Sequence, residues 1–127
     1  MDMIKEINLD DLRSDYDWEE VFGEGSGGNC DGEIQVIPPG AKVDSSGVSR
    51  AKVVEVIGAI NGENDEAAWF GVFLLDDGRY LVAEGGCDYT GWDCRAGNSL
   101  CVAGSLDDAI KYGLTPEMQA RLGILNA

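Results

Sequence analysis

The chain has 127 residues, with 24 Asp or Glu against nine Lys or Arg, so its formal net charge at pH 7 is −15. It contains no histidine, which excludes Ser–His and Cys–His catalysis and removes the commonest protein metal ligand. So acidic a surface also argues against direct binding of nucleic acid or anionic membranes, because both modes require basic patches. No basic leader or membrane-spanning apolar run is visible, so we expect a single cytoplasmic domain over residues 1–127.

The N-terminal part, residues 1–24, is predicted to be an acidic helical segment. Asn8 can cap a helix that runs to about residue 22, and Asp17 gives a second capping signal that would bend or divide it. Residues 1–33 hold eleven Asp or Glu and two Lys or Arg, so most of the net charge lies in the first quarter of the chain. The acidic face of the predicted helix is either a solvated surface or a mimic of a nucleic-acid phosphate strand.

Residues 25–48 read as a glycine-rich loop and one short strand. The loop "GEGSGGNCDGE" is not a phosphate cradle, because no GK[ST] follows it. "EIQVI" then predicts a strand that "PPG" ends. For residues 49–62 we predict a central helix capped by Ser49, because Val53, Val56, Ile57 and Ile60 recur at helical spacing. Their β-branched character leaves a strand as the alternative.

The clearest supersecondary element is a hairpin. Apolar runs at about 68–75 and 79–85 flank "DDGR", and its Asp-Gly pair is a strong turn signal. A third strand is predicted at about 99–103, followed by helices that begin after Ser105 and after Thr115. The fold class is therefore predicted as α+β, a small antiparallel sheet packed with N-terminal, central and C-terminal helices.

The string "GCDYTGWDC" between the second and third of these strands is the densest candidate for chemistry. Its cysteines are too far apart for a zinc knuckle, and the aspartates around them oppose a reactive thiolate. We interpret it as a structural loop in which aspartates cap backbone amides, and we expect Asp93→Ala to reduce stability before it reduces any activity. The alternative is a metal- or thiol-dependent enzyme centred on this loop. The residues that we assign to the structural loop are Cys87, Asp88, Gly91, Asp93 and Cys94.

The sequence favours a non-enzymatic protein that needs no cofactor or metal and binds a basic partner surface. Trp92 either covers the sheet end or is an exposed anchor together with Tyr89. The predicted partner is a nucleic-acid-handling protein, which the chain would inhibit as phage anti-defence proteins of the anti-CRISPR or DNA-mimic type do. An immunity or antitoxin protein against a basic nuclease is the alternative. The carboxylates expected to bind are Asp10, Asp11, Asp15, Asp17, Glu19 and Glu20.

Part of the chain resembles a group of small proteins found in both bacteria and phages. Residues 53–122 resemble a group of small bacterial and phage proteins that share the pattern GEND, W, DGR, GCDYTGWDC and a final helix ending in GL. Arg95 stands where that pattern has glutamine, and Cys101 is a further departure from it. The resemblance implies kinship without a mechanism, and it places the chain in the cytoplasm of a host cell if it is phage-encoded.

Overall fold

The central element of the protein is a mixed five-stranded sheet. The computed structural model describes residues 3–10, 34–48, 52–62, 68–87 and 95–124. Its elements are β1 (Ile34–Ile37), β2 (Val53–Ile60), β3 (Trp69–Leu75), β4 (Tyr80–Cys87), β5 (Arg95–Ala103), α1 (Leu106–Gly113) and α2 (Pro116–Arg121). The strand order is β1-β5-β4-β3-β2. Strands and helices thus occur in one α+β arrangement, as predicted.

The predicted hairpin is confirmed. β3 and β4 pair antiparallel, and Leu75 N–H donates to the Arg79 carbonyl across the turn at 2.9 Å. Gly78 has a φ of +93°, a conformation that residues with a Cβ adopt at a cost. β5 pairs antiparallel with β4, so the strand predicted at 99–103 is also confirmed and begins earlier, at Arg95.

The sheet is not purely antiparallel, and the prediction was wrong on that point. The strand predicted from "EIQVI" exists as β1, but it pairs parallel with β5, with Ile34 opposite Leu100 and Ile37 opposite Ala103. A short apolar run shows that a strand is present and says nothing about its partner. Here the partner lies far along the chain, and parallel pairing requires such a long connection.

The predicted central helix is wrong, because its residues form β2. This strand pairs antiparallel with β3, but its register shifts between Val53 and Glu55 and again between Val56 and Gly58. Each shift turns the following residues to the opposite face, as β-bulges do. Val53, Val56 and Ala59 therefore reach one core cluster at intervals of three residues. A bulged strand has produced the apolar spacing of a helix.

Each face of the sheet packs into a core cluster. Side chains alternate along β3, so that Phe70 and Val72 face one core cluster while Trp69 and Phe73 face the other, and all four are fully buried. The C-terminal helices contribute Ala109 and other apolar residues to the Phe70 cluster. Of the N-terminal helix predicted for 8–22, residues 8–10 are described, and residues 9 and 10 have helical backbone; the rest lies outside the described residues.

The two C-terminal helices begin where the sequence predicts. The Ser105 hydroxyl accepts from the Asp108 N–H at 3.2 Å, and the Thr115 hydroxyl accepts from the Met118 N–H at 3.1 Å. These bonds satisfy amide groups that a helix start leaves without a helical partner. Among the described residues, no helix has both the length and the apolar character needed to cross a membrane.

Residues 3–7, called the strap below, lie along the outer edge of β2 and run parallel to it. Glu6 N–H donates to the Ala59 carbonyl at 2.9 Å, and Ala59 N–H donates to the Ile4 carbonyl at 3.0 Å. Ile4 N–H in turn donates to the carbonyl of Leu122, just after α2, at 3.0 Å. The strap therefore joins the sheet edge to the C-terminal helices.

Candidate functional site

One end of the sheet carries the chain connections in which the acidic residues are concentrated. β2 and β4 finish there and β3 and β5 begin there, because the four strands alternate in direction. The strap runs towards this end, and β1, parallel to β5, starts from its side of the sheet. Segments 11–33, 63–67 and 88–94 are thus all attached on this side, which we call the acidic end.

The charge of these three segments differs sharply from that of the rest of the chain. Together they hold thirteen Asp or Glu and one Arg, so their net charge is −12. The described residues hold ten Asp or Glu and seven Lys or Arg, a net charge of −3. The chain's large negative charge is therefore carried by connections attached to the acidic end, and the sheet and its helices are nearly neutral.

Of the carboxylates predicted to bind a partner, Asp10 is the one that lies in the described part of the chain. Its side chain is exposed, whereas its neighbour Leu9 packs against the core cluster that contains Trp69. The outward direction of Asp10 therefore agrees with the predicted division between an apolar and an acidic face. The other predicted binding residues lie outside the described residues: Asp11, Asp15, Asp17, Glu19, Glu20, Tyr89 and Trp92.

The predicted structural loop connects β4 to β5. Cys87, the last residue of β4, is the pairing partner of Arg95, the first residue of β5, so residues 88–94 span a short hairpin connection. The position expected for this loop, between the second and third strands of the meander, is confirmed. Asp88, Gly91, Asp93 and Cys94 lie outside the described residues, so their predicted capping bonds stay predictions.

Thiol chemistry has little support from the cysteine whose side chain is described. Cys101 is half-buried on β5, and burial, together with the nearby Glu84 carboxylate, raises the pKa of its thiol. A raised pKa keeps the thiol protonated at neutral pH, and the thiolate is the nucleophilic form. In the described ranges no three Cys, Asp or Glu residues come close enough together to hold a metal ion.

The opposite end, called the turn end, is organised by an arginine that the sequence reading missed. Arg79 Nη1 donates to the carbonyls of Asp44 and Ser46, at 2.5 and 2.9 Å. Its Nε and Nη2 contact Asp77 Oδ2 at 2.8 and 2.6 Å. Arg79 thus fastens the chain that follows β1 to the β3–β4 turn. The "DDGR" string could have indicated the Asp77 pair, but not the contact with residues 44–46.

Two carboxylates at the turn end are held in their charged form. Hydrogen bonding to Arg79 lowers the pKa of Asp77. The Ser46 hydroxyl and backbone N–H donate to Asp44 Oδ1 at 2.7 and 2.8 Å and lower the pKa of that carboxyl. Among the described residues, Arg79 and Lys52 both lower the pKa of the Asp77 carboxyl, and Arg79 also lowers the pKa of Asp44. The Arg79 cluster therefore has its charged partners within the described part of the chain.

Comparison with known proteins does not add a family or a function. No protein-family model matches the sequence, and neither the curated proteins nor the solved structures include a match. The distribution of charge over this fold is therefore the feature from which a function can be inferred.

Proposed function

We propose that the chain is a non-enzymatic acidic protein that binds and blocks a basic surface of a nucleic-acid-handling protein. One observation carries the proposal. A net charge of −12 belongs to three segments attached to one end of a nearly neutral sheet. Acidity that served only solubility would not need to be divided in this way, because any exposed surface could carry it.

A concentrated negative surface suits a partner that normally binds phosphates. Such a partner has clustered Lys and Arg side chains that bind the phosphates of DNA or RNA. A protein with many carboxylates can bind the same cluster of cations. The residues we expect at this interface are the six N-terminal carboxylates, with Tyr89 and Trp92 as apolar anchors. Inhibition would follow because the occupied groove excludes DNA or RNA. The resemblance is to bacterial and phage proteins alike, and in a phage genome the partner we propose is a host defence complex.

The test begins with affinity capture. The full chain, tagged at its C-terminus, is used to capture proteins from a bacterial lysate, and the captured protein is purified. Its affinity for the chain is then measured between about 50 and 200 mM salt, where contacts between many charges weaken by orders of magnitude. Duplex DNA is added as a competitor. We expect a steep salt dependence and mutually exclusive binding of DNA and the chain.

Two variants of equal net charge make the test specific. Asp10, Asp15 and Glu19 are changed to Lys in one variant, and the exposed Glu55, Asp76 and Glu117 are changed to Lys in the other. Both variants have a net charge of −9, since each reverses three of the charges that make −15. We expect the first to bind at least about 100-fold more weakly and the second to change affinity by less than about threefold.

Equal losses in the two variants would show that total charge, not the acidic end, determines binding, and would contradict the proposal. Salt-insensitive binding would contradict it too. A captured nuclease encoded beside this chain would indicate the immunity alternative, in which the same acidic end protects the producing cell. About one zinc ion per purified chain would instead support the metal-dependent alternative.

A further inference from the structure

At the outer edge of β2, both backbone polar groups of Ala59 point away from the sheet. Ala59 donates its N–H to Ile4 and accepts from Glu6, and both partners belong to the strap. An unpaired edge residue of this kind is a template for addition of another strand. The strap satisfies both groups and so occupies this position.

The rest of the β2 edge is protected in a different way. Register shifts after Val53 and after Val56 disturb the strand there, and Glu55 places an exposed carboxylate beside them. Bulges and charges are the features by which natural sheets prevent edge-to-edge pairing. The regular stretch of β2 around Ala59 lacks both features, and the strap lies over that stretch.

The strap fits the edge closely. Met3 and Ile7 are both buried, and they join the core clusters on opposite faces of the sheet. A Cβ added to Gly58 would lie 2.9 Å from the Met3 Cβ and 3.1 Å from Leu122 Cδ2. The absence of a side chain at position 58 therefore gives the strap and the end of α2 the room to close over β2.

We propose that the strap is an edge guard that prevents β2 from pairing with β2 of a second copy of this chain. In an antiparallel pair, two residues directly opposite each other can exchange both N–H···O bonds. Two Ala59 residues related by a two-fold axis meet this condition, because each presents one donor and one acceptor outward. The same surface on both copies is then self-complementary, as in a two-fold dimer.

Two proline variants of the full chain test the guard. Glu6→Pro removes the N–H that donates to Ala59, because proline has no amide hydrogen. Lys5→Pro is the matched control. Lys5 pairs with Ala59 through its two neighbours, so its own N–H points away from β2. Glu6→Gln is a second control, because the Glu6 carboxylate accepts from Asn61 N–H at 2.6 Å and only that group is altered.

Self-association is measured by sedimentation velocity at about 0.5 M salt, which shortens the Debye length to a few ångströms and screens repulsion between the acidic copies. Amide hydrogen exchange at Ala59 reports release of the strap. We expect Glu6→Pro to lose protection at Ala59 and to dimerise at a concentration at least about tenfold lower than the unmodified chain. Lys5→Pro and Glu6→Gln should behave like the unmodified chain.

If Ala59 is released in Glu6→Pro but the chain associates no more than Lys5→Pro does, the guard proposal is overturned. Unchanged protection at Ala59 would overturn it equally, because the bonds that define the strap would then not hold it. Should Glu6→Pro fail to fold, Ile4→Pro, which removes the donor to the Leu122 carbonyl, is tested against the same control.

Discussion

The two ends of the sheet show opposite uses of charge. At the turn end, Arg79 pairs with the Asp77 carboxylate and connects two parts of the chain through bonds to two carbonyls. At the acidic end, the attached segments hold thirteen carboxylates and one arginine. Charges that stabilise a fold are matched locally. An excess of one sign in segments that are attached to one side adds repulsion to the chain, and the partner proposed above rests on this difference.

If the two ends differ only in charge, the core should be packed equally well at both of them. Trp69 begins β3 at the acidic end and is fully buried, and Leu75 ends the same strand at the turn end, also buried. We expect Trp69→Ala to reduce the free energy of unfolding by about 3–5 kcal/mol and Leu75→Ala by about 2–5 kcal/mol. Urea unfolding measures both. A cost below about 1 kcal/mol for Trp69→Ala would show that the acidic end is poorly packed.

At the turn end, we expect the Arg79 side chain to stabilise the fold. Arg79→Ala should lower the free energy of unfolding by about 2–3 kcal/mol, because it removes two hydrogen bonds to carbonyls as well as the Asp77 pair. Arg79→Lys should recover less than half of this, since an ammonium cannot reproduce the planar fork of a guanidinium. Thermal unfolding of the three proteins checks the order. Full recovery by lysine would mean that charge alone matters there.

The contribution of the Asp77–Arg79 pair to stability should depend on pH. Hydrogen bonding to Arg79 holds the pKa of Asp77 below its ordinary value of 3.8. Its contribution is therefore present above that value and is lost as the pH falls through the lower pKa of the folded state. We expect Asp77→Asn to cost at most about 1 kcal/mol at neutral pH, since the pair is partly exposed and screened. The difference from the unmodified chain should narrow below about pH 4; a difference that widens would contradict the assignment.

Neutralising carboxylates should change stability least of all, and in opposite directions at the two ends. Neutralising Glu63, Asp65 and Glu66 as amides at the acidic end should raise stability by about 0.5 kcal/mol or less, because it relieves repulsion. Neutralising Asp44, Asp76 and Asp77 at the turn end should lower stability instead. Both variants have a net charge of −12, since each removes three of the fifteen excess negative charges. Urea unfolding at low salt compares them, and a change of the same sign in both would remove the distinction between the ends.

Much of this fold can be predicted from local sequence signals. The hairpin, the strand after it and both C-terminal helix starts are specified by turn and capping residues within a few positions, such as Gly78, Ser105 and Thr115. β2 could not be identified in the same way, because its two register shifts place buried residues at intervals of three. The strap and the parallel pairing of β1 depend on distant partners, which no local pattern specifies.

The candidate site, too, can be predicted from the sequence only in part. The excess of acidic residues is visible in composition alone, and the exposed Asp10 beside the half-buried Leu9 agrees with the predicted faces. That three acidic segments attach to one side of a neutral sheet follows only from strand order and direction. Arg79 was missed for the same reason, because its contacts with residues 44 and 46 join parts of the chain that are far apart in sequence.

The parallel pairing of β1 has a consequence for how the chain reaches its folded state. The meander from β2 to β5 pairs neighbours, whereas Ile34 must meet Leu100 across more than half of the sequence. Closing so large a loop costs entropy that only an already formed partner strand can offset. We therefore expect β5 to be in place before β1 adds to it. The stretch of chain between residues 10 and 34 would then be tied to the sheet at both of its ends only in that late step.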